Sequence, residues 1–143
     1  MAKFSAPKKT RSIKRVLISI LYHDQNIDLI KLIDKIKINK KDDLLIIFDN
    51  VNNHSLNLIL KKKYKNIKLF FGTKKSKKVP YYRNIALRKS IPNYEILFFL
   101  DSDVLPSKNI TEQHYKSHKK YKEIPLIAGS VKPSFLVNQK TFW

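Results

Sequence analysis

The chain has 143 residues, of which 43% are hydrophobic, and its 30 Lys and Arg against 11 Asp and Glu give a formal net charge of +19. This length suits one domain with a buried core, and the charge would attract the phosphates of nucleic acid, nucleotides or anionic lipid. The absence of Cys excludes disulfides and thiolate metal sites, and the presence of only two Gly excludes glycine-rich phosphate loops.

Residues 1–15 carry six Lys or Arg and no acid, and we interpret them as a disordered basic arm. This basic segment and the apolar run at residues 16–22 together resemble a signal peptide, but polar residues from His23 onward stand where a small-residue cleavage site would be. Residues 16–21 are therefore predicted to be the first core strand. No apolar run is long enough for a membrane span. The absence of Cys favours a reducing compartment, and we expect a cytoplasmic protein, with peripheral contact to a membrane surface as an open alternative.

Two helices and two strands are predicted in the next part of the chain. A helix from Asn26 has apolar residues at the spacing of one buried face, namely Leu29, Ile30, Ile33 and Ile36. A second helix, capped by Ser55, turns three apolar residues toward the core, namely Leu56, Ile59 and Leu60. Residues 44–48 and 67–71 are predicted to be apolar strands, which end at Asp49 and Gly72.

The remaining elements continue the alternation of strands and helices. Pro80 suits the first turn of a helix that Pro92 would close. Residues 96–100 form an unbroken apolar run, which predicts a central strand buried on both faces. Residues 110–121 are predicted to be a helix and residues 125–131 a fifth strand. This pattern predicts an α/β fold with a mostly parallel, Rossmann-like sheet and helices on both of its faces.

Two carboxylates, Asp101 and Asp103, follow the apolar run at residues 96–100, with Ser102 between them. Like charges this close resist ionising unless a cation neutralises them, and open α/β sheets bind their ligands at the carboxyl ends of their strands. The pattern therefore predicts a site for a divalent cation, Mn²⁺ or Mg²⁺. The alternative is a solvated turn in which Asp101 caps the next helix.

Four segments in this order resemble the nucleotide-sugar half of family 2 glycosyltransferases, which have the GT-A fold. The first strand runs into Tyr22-His23-Asp24, and the second ends in Asp49-Asn50. Residues 80–86 are similar to the family's Ala-Arg-Asn-x-Gly segment, and residues 96–103 to its apolar strand ending in Asp-x-Asp. The resemblance covers roughly residues 15–133. Four positions depart from the family pattern, namely His23, Asp24, Asn50 and Ala86.

The resemblance implies the strand order 3-2-1-4 and a nucleotide-sugar donor, a UDP-sugar before others. It assigns donor contacts to Tyr22, His23, Asp24, Asp49, Arg83, Asp101 and Ser102, and metal ligation to Asp103 and Asp101. Asp49 would accept a hydrogen bond from the nucleobase, and Arg83 would lie near the phosphates or pair with Asp101. The alternatives are a turn or capping role for Asp49 and a solvated helix position for Arg83.

In the resembled family, the acceptor-binding part and the catalytic carboxylate follow the donor half, whereas the acids after Asp103 are only Glu112 and Glu123. We therefore expect residues 16–143 to be a donor-binding domain without the acceptor part, which binds a donor without appreciable transfer and tends to self-associate. The alternatives are a basic nucleic-acid-binding module, using the arm and the loop at residues 74–78, and a non-catalytic assembly domain. We rank nucleic acid below a nucleotide sugar as a partner.

Two further pairs of residues have more than one interpretation. His114 and His118 lie four apart on a predicted helix and could share a metal ion, but the helix is rich in Lys and lacks the Glu of a zinc-protease motif. We interpret this pair as part of a solvated helix face. Tyr81 and Tyr82 could stack on single-stranded nucleic acid, and we interpret them instead as a pair that faces the core.

Overall fold

The computed structural model describes residues 12–23, 28–49, 54–72 and 78–129. Four strands alternate with four helices in these ranges. The strands are β1 (Lys14–Tyr22), β2 (Asp42–Phe48), β3 (Ile67–Phe71) and β4 (Tyr94–Asp101). The helices are α1 (Leu29–Lys35), α2 (His54–Lys63), α3 (Val79–Ser90) and α4 (Ile110–Lys120). The predicted α/β fold is confirmed.

The four strands form one parallel sheet in the order β3-β2-β1-β4, which is the order that the resemblance implied. Successive side chains of a strand point to opposite faces, so the unbroken apolar runs of β1 and β2 bury both faces of the sheet. Ile18 and Ile20 of β1 belong to the core that α1 and α2 cover. Leu17 packs with Tyr82 and Ala86 of α3 in a second core. Helices therefore cover both faces, as predicted.

Local sequence signals explain where two helices begin, and a third helix has the predicted span. At the start of α1, the Asp28 carboxylate accepts a hydrogen bond from the backbone N–H of Lys31 at 2.9 Å, whereas the predicted start at Asn26 lies outside the described residues. Pro80 occupies the first turn of α3, as predicted. The span of α4 agrees with the predicted helix to within one residue. Within the described ranges, no helix is both long enough and apolar enough to cross a bilayer.

The position of β4 corrects the prediction of a central strand buried on both faces. Among the described residues, β4 pairs with β1 alone and forms one edge of the sheet. Of the residues in β4, only Leu100 is buried, and the side chain of Phe99 is 39% exposed. An apolar run indicates that a strand packs against something, but it does not indicate whether a neighbouring strand covers its outer side.

Three smaller predictions are also corrected. α2 begins at His54, so Ser55 lies inside the helix instead of capping it. Ile59 is exposed because the inward face of α2 passes through Asn57 and Leu60. Residues 125–129 are not a strand, since they are mostly exposed and no described strand pairs with them, and the last two residues of the predicted fifth strand lie outside the described residues.

β1 and β2 each begin two residues earlier than predicted, because two adjacent carboxylates of β2 are buried in ion pairs with β1. Lys14 and Arg15 therefore belong to the sheet and not to the predicted basic arm, and residues 1–11 of that arm lie outside the described residues. The side chains of Asp42 and Asp43 are 0% and 2% exposed. Arg15 binds Asp42 through two hydrogen bonds, from Nε at 2.8 Å and from Nη2 at 2.7 Å. Lys14 Nζ binds Asp43 Oδ1 at 2.6 Å. Each buried anion thus has its own cation, which burial of a charge requires.

The other strands join this ion-pair network through Asp43. Tyr94 of β4 donates a hydrogen bond to Asp43, and Lys68 of β3 lies 3.1 Å from the same carboxylate. Burial alone would raise the pKa of Asp43, but the hydrogen bonds from Lys14, Tyr94 and Lys68 outweigh burial and hold the pKa below its usual value. The network therefore connects all four strands at their amino ends.

We predict that Asp42→Asn lowers the free energy of unfolding by roughly 3 to 5 kcal/mol, because it leaves the guanidinium of Arg15 without its principal anion. Urea unfolding followed by circular dichroism measures this loss. The matched control is Asp34→Asn, since Asp34 pairs with Lys63 where both side chains are nearly half exposed. Equal losses for the two variants would contradict a special role for the buried pair.

We predict that Asp43→Asn also changes the pH dependence of stability. A carboxylate whose pKa is lowered by folding stabilises the protein above its unfolded-state pKa of about 3.9, and this contribution is lost as the pH falls through the lower folded-state value. Between about pH 5 and 3, the unfolding free energy of the unmodified chain should therefore fall more steeply than that of Asp43→Asn. Parallel pH profiles from urea titrations would show that Asp43 makes no such contribution.

Candidate functional site

The candidate site lies at the carboxyl edge of the sheet, where β1 ends between β2 and β4. Tyr22, the last residue of β1, pairs with Phe48 in β2, and Leu21 pairs with Asp101 in β4. The strand order reverses at β1, because the chain first builds outward through β2 and β3 and then returns to the other side of β1. Open α/β sheets bind ligands at such a reversal. A small cleft opens there between Leu21, Arg83 and Asp101.

Asp49 is held in place at the end of β2 by two contacts. Its backbone N–H donates to the carbonyl of Tyr22 at 2.9 Å. Its Oδ1 accepts a hydrogen bond from the buried hydroxyl of Tyr82, in α3, at 2.5 Å. Among the described residues, none donates a hydrogen bond to Asp49 Oδ2. A ligand could therefore donate a hydrogen bond to this second carboxylate oxygen.

The end of β3 leaves room for Tyr82. A Cβ on Gly72 would lie 2.6 Å from the Tyr82 hydroxyl and 2.9 Å from the carbonyl oxygen of Phe48. The same carbonyl accepts a hydrogen bond from the backbone N–H of Gly72 at 2.8 Å, so the two chain segments cannot easily separate. A residue without a side chain is therefore required at this position.

The three predicted site residues after β1 have different environments. Tyr22 is buried and packs edge to face on Phe48, with ring centroids 5.7 Å apart, so its ring is part of the core. His23 is exposed and directly follows β1 at the carboxyl edge. Asp24 lies outside the described residues. Of these side chains, His23 is thus the one that the described structure places at the surface of the site.

The Asp101-Ser102-Asp103 segment turns its two carboxylates outward and its serine inward. Asp101 and Asp103 are exposed, whereas Ser102 is buried and its Oγ has no hydrogen-bond partner among the described residues. The backbone N–H of Val104 donates to the carbonyl of Asp101 at 3.3 Å, which closes a turn. α4 begins nine residues after Asp101, so Asp101 does not cap it; the turn is present, and the capping alternative is excluded.

Arg83 lies beside this segment on the first part of α3. Its Nη2 is 3.4 Å from Asp101 Oδ1, and its guanidinium lies 5.5 Å from the centre of the Phe99 ring. Both charged side chains are at least half exposed, so this ion pair contributes little to stability. The predicted pairing of Arg83 with Asp101 is confirmed, and the pair is weak enough for either partner to turn to a ligand.

The donor set at this edge fits one class of metal ion. No group of three or more His, Asp or Glu side chains that could hold a metal occurs within the described ranges, so a cage made by the protein alone is not found there. Mg²⁺ and similar ions are commonly held by one or two carboxylates together with substrate phosphates and water. Asp101 and Asp103 have the chemistry and the exposure that such a shared site requires.

The His114 and His118 pair does not form part of this site. The ring of His114 packs on Phe98, with centroids 4.7 Å apart, and burial is the main reason that its pKa is lowered, with the charge of His118 second. The predicted solvated face is therefore wrong for His114, because α4 turns this residue toward β4. No described acid or histidine completes a metal site there.

The sequence did not predict that Tyr82 holds Asp49 in place at the site. Tyr81 is 45% exposed and Tyr82 is buried, so only the second of the two tyrosines faces the core as predicted. The spacing of Tyr82, Ala86 and Ser90 at i, i+4 and i+8 marks the buried stripe of α3 and would have distinguished them. The hydrogen bond to Asp49 has no comparable signal, since it joins residues 33 apart in the chain.

We predict that Gly72→Ala destabilises the protein by about 1 to 3 kcal/mol, because the added methyl group must displace Tyr82 or the backbone of Phe48. Gly129→Ala is the matched control, since its Cβ would meet the end of the His114 side chain at 3.3 Å, where the side chain can move. Urea unfolding of both variants provides the comparison. A smaller loss for Gly72→Ala than for Gly129→Ala would contradict the tight packing at the end of β3.

Comparisons with known proteins complete this description. No family model matches the chain, and no curated protein sequence matches it. The resemblance to family 2 glycosyltransferases therefore depends on the four sequence segments.

Proposed function

We propose that the carboxyl edge of the sheet binds a nucleoside diphosphate sugar together with a divalent cation, as the donor-binding part of a family 2 glycosyltransferase. One observation carries this proposal. The order β3-β2-β1-β4 brings Asp49, which follows β2, and the acidic segment that follows β4 to either side of β1. Asp49, Arg83 and Asp101 come from three segments that are far apart in the chain, and in the fold they lie near the carboxyl end of β1.

The two sides of β1 offer different chemistry to such a donor. On the β2 side, Asp49 presents a fixed carboxylate oxygen, which suits the N–H groups of a nucleobase. On the β4 side, Arg83 presents a planar cation, which suits phosphate oxygens. A uracil base and a diphosphate, joined by ribose, have these two kinds of groups at their two ends, so a UDP-sugar is the donor that we propose first.

The metal would be held by Asp103 and Asp101, which are the exposed carboxylates closest to the end of β4. A bound Mn²⁺ or Mg²⁺ would supply positive charge to the diphosphate and so stabilise it as a leaving group. Arg83 Nη2 lies 3.4 Å from Asp101 Oδ1. The guanidinium of Arg83 would therefore add a permanent positive charge beside the diphosphate. The chain's own residues thus bind and orient the diphosphate end of the donor.

Glu112, one of the two acids after Asp103, lies away from the candidate site. Glu112 Oε2 lies 2.5 Å from Nη1 of Arg15, near the amino end of β1, and this hydrogen bond is the main reason that its pKa is lowered. A carboxylate engaged in this way is neither near the carboxyl edge nor poised to accept a proton from an acceptor. We therefore propose that Glu112 does not act as the general base of a transfer reaction.

We predict that UDP and UDP-sugars raise the thermal midpoint of the protein in the presence of Mn²⁺ and that Asp103→Asn abolishes this shift. The substitution removes an anionic oxygen that a divalent cation needs and, because Asp103 is exposed, should leave the fold intact. A ligand at 100 times its Kd stabilises the native state by about 2.7 kcal/mol, which a thermal-shift assay detects readily.

The matched control is Glu123→Gln, which removes one exposed negative charge beyond α4. It should leave the Mn²⁺-dependent shift unchanged. GDP and CDP in the same assay test the choice of base. Equal shifts for Asp103→Asn and the unmodified chain would disprove the metal assignment, and a shift that disappears with moderate salt regardless of Mn²⁺ would favour binding to a phosphate backbone.

A further inference from the structure

The amino edge of the sheet, opposite the candidate site, collects the ends of the helices. α1, α2 and α3 each lead into the start of the next strand, so their C-termini lie at this edge. The end of α4 lies there as well, because Lys119 pairs at 2.6 Å with Glu95, near the start of β4. The last turn of every helix in the described ranges contains basic residues.

Several exposed cations of this edge have no carboxylate within 4.0 Å among the described residues. They come from the turn before β2, from the end of α2 and from the end of α3. These cations are Lys40, Lys41, Lys61, Lys62, Arg88 and Lys89, and we call the surface that they form the basic edge. One cation at a helix C-terminus complements the helix dipole, but α2 carries three in succession and Lys40 and Lys41 belong to no helix.

The acids near the basic edge do not neutralise it. Asp42 and Asp43 are buried in the ion-pair network with Arg15 and Lys14. Asp34 pairs with Lys63, and Glu95 pairs with Lys119, so these carboxylates already have cations of their own. The six cations of the basic edge therefore leave this surface with an excess of positive charge, which is available to an anionic partner.

Two bulky aliphatic side chains protrude at the same edge. Ile13, just before β1, and Ile91, just after α3, are each 63% exposed. The backbone N–H of Lys14 donates to the carbonyl of Asn93 at 2.8 Å, which brings the segments of Ile13 and Ile91 side by side. Single-stranded nucleic acid is bound by stacking its bases on aromatic rings, which these residues do not offer. Exposed aliphatic residues among cations instead suit the boundary between lipid headgroups and acyl chains.

We propose that the basic edge, with Ile13 and Ile91, docks on the surface of an anionic lipid bilayer. The cations would lie at the headgroup phosphates, and the two isoleucines would enter the outermost apolar layer. The carboxyl edge, which is at the other end of the strands, then faces away from the membrane. This proposal is independent of the proposed function, because it uses none of the residues at the carboxyl edge.

The test is co-sedimentation of the full chain with vesicles of phosphatidylcholine, either alone or mixed with phosphatidylglycerol. We expect binding to the mixed vesicles and not to phosphatidylcholine alone. Lys61→Gln with Lys62→Gln should weaken binding on the order of 30-fold, since each cation near an anionic surface contributes about fivefold. Lys31→Gln with Lys78→Gln removes the same charge from exposed positions at or before the start of helices and should have a much smaller effect.

A second pair of variants tests the apolar contact. Ile13→Ser with Ile91→Ser should reduce vesicle binding, whereas Val79→Ser with Leu105→Ser, at exposed positions nearer the carboxyl edge, should not. Equal binding to neutral vesicles, equal losses for the two lysine pairs, or no loss for the Ile13 and Ile91 pair would each overturn the proposal. So would an RNA or DNA oligonucleotide that displaces the protein from the vesicles at equal phosphate concentration.

Discussion

The ion pairs at the start of β2 are the constraint on which the rest of the structure depends. Asp42 and Asp43 are consecutive residues of one strand, so their side chains point to opposite faces of the sheet. Arg15 neutralises the first and Lys14 the second, and both cations come from β1. In the observed register Val16 lies opposite Asp42 and Leu17 lies opposite Asp43, so the two cations come from the positions just before the opposed pairs. A change of register would separate each buried carboxylate from its cation and leave an unpaired buried charge. The pairs therefore fix the register of the two central strands.

That register also sets the geometry at the opposite end of the sheet. Because β1 and β2 are held at their amino ends, Tyr22 comes opposite Phe48, and the backbone of Asp49 can bond to that of Tyr22. Tyr94, which donates to Asp43, holds the first residue of β4 in the same way, and the strand then ends at Asp101 beside Leu21. The positions of the acids at the carboxyl edge thus depend on charges at the far ends of the strands, although no residue is common to the two groups.

Local patterns in the sequence predicted the strands, the helices and the α/β fold, while the family resemblance supplied the strand order. The failures have physical reasons. Asp42 and Asp43 follow two lysines and have the composition of a solvated turn; their burial depends on cations 27 and 29 residues earlier, which no local window contains. The apolar run of β4 indicates packing but not an edge position, and the hydrogen bond from Tyr82 to Asp49 depends on how α3 lies across the sheet. Contacts between distant segments decide each of these features.

The neighbouring residues Tyr82 and Arg83 have a consequence for how the two sides of the candidate site behave together. Tyr82 holds Asp49 at the end of β2, and Arg83 reaches Asp101 at the end of β4, so one turn of α3 contacts both flanks of β1. A rotation of α3 about its axis changes both contacts at once. A substitution that tilts or rotates this turn of α3 would therefore disturb the support of Asp49 and the reach of Arg83 together. The two flanks of β1 thus share one support, a single turn of α3.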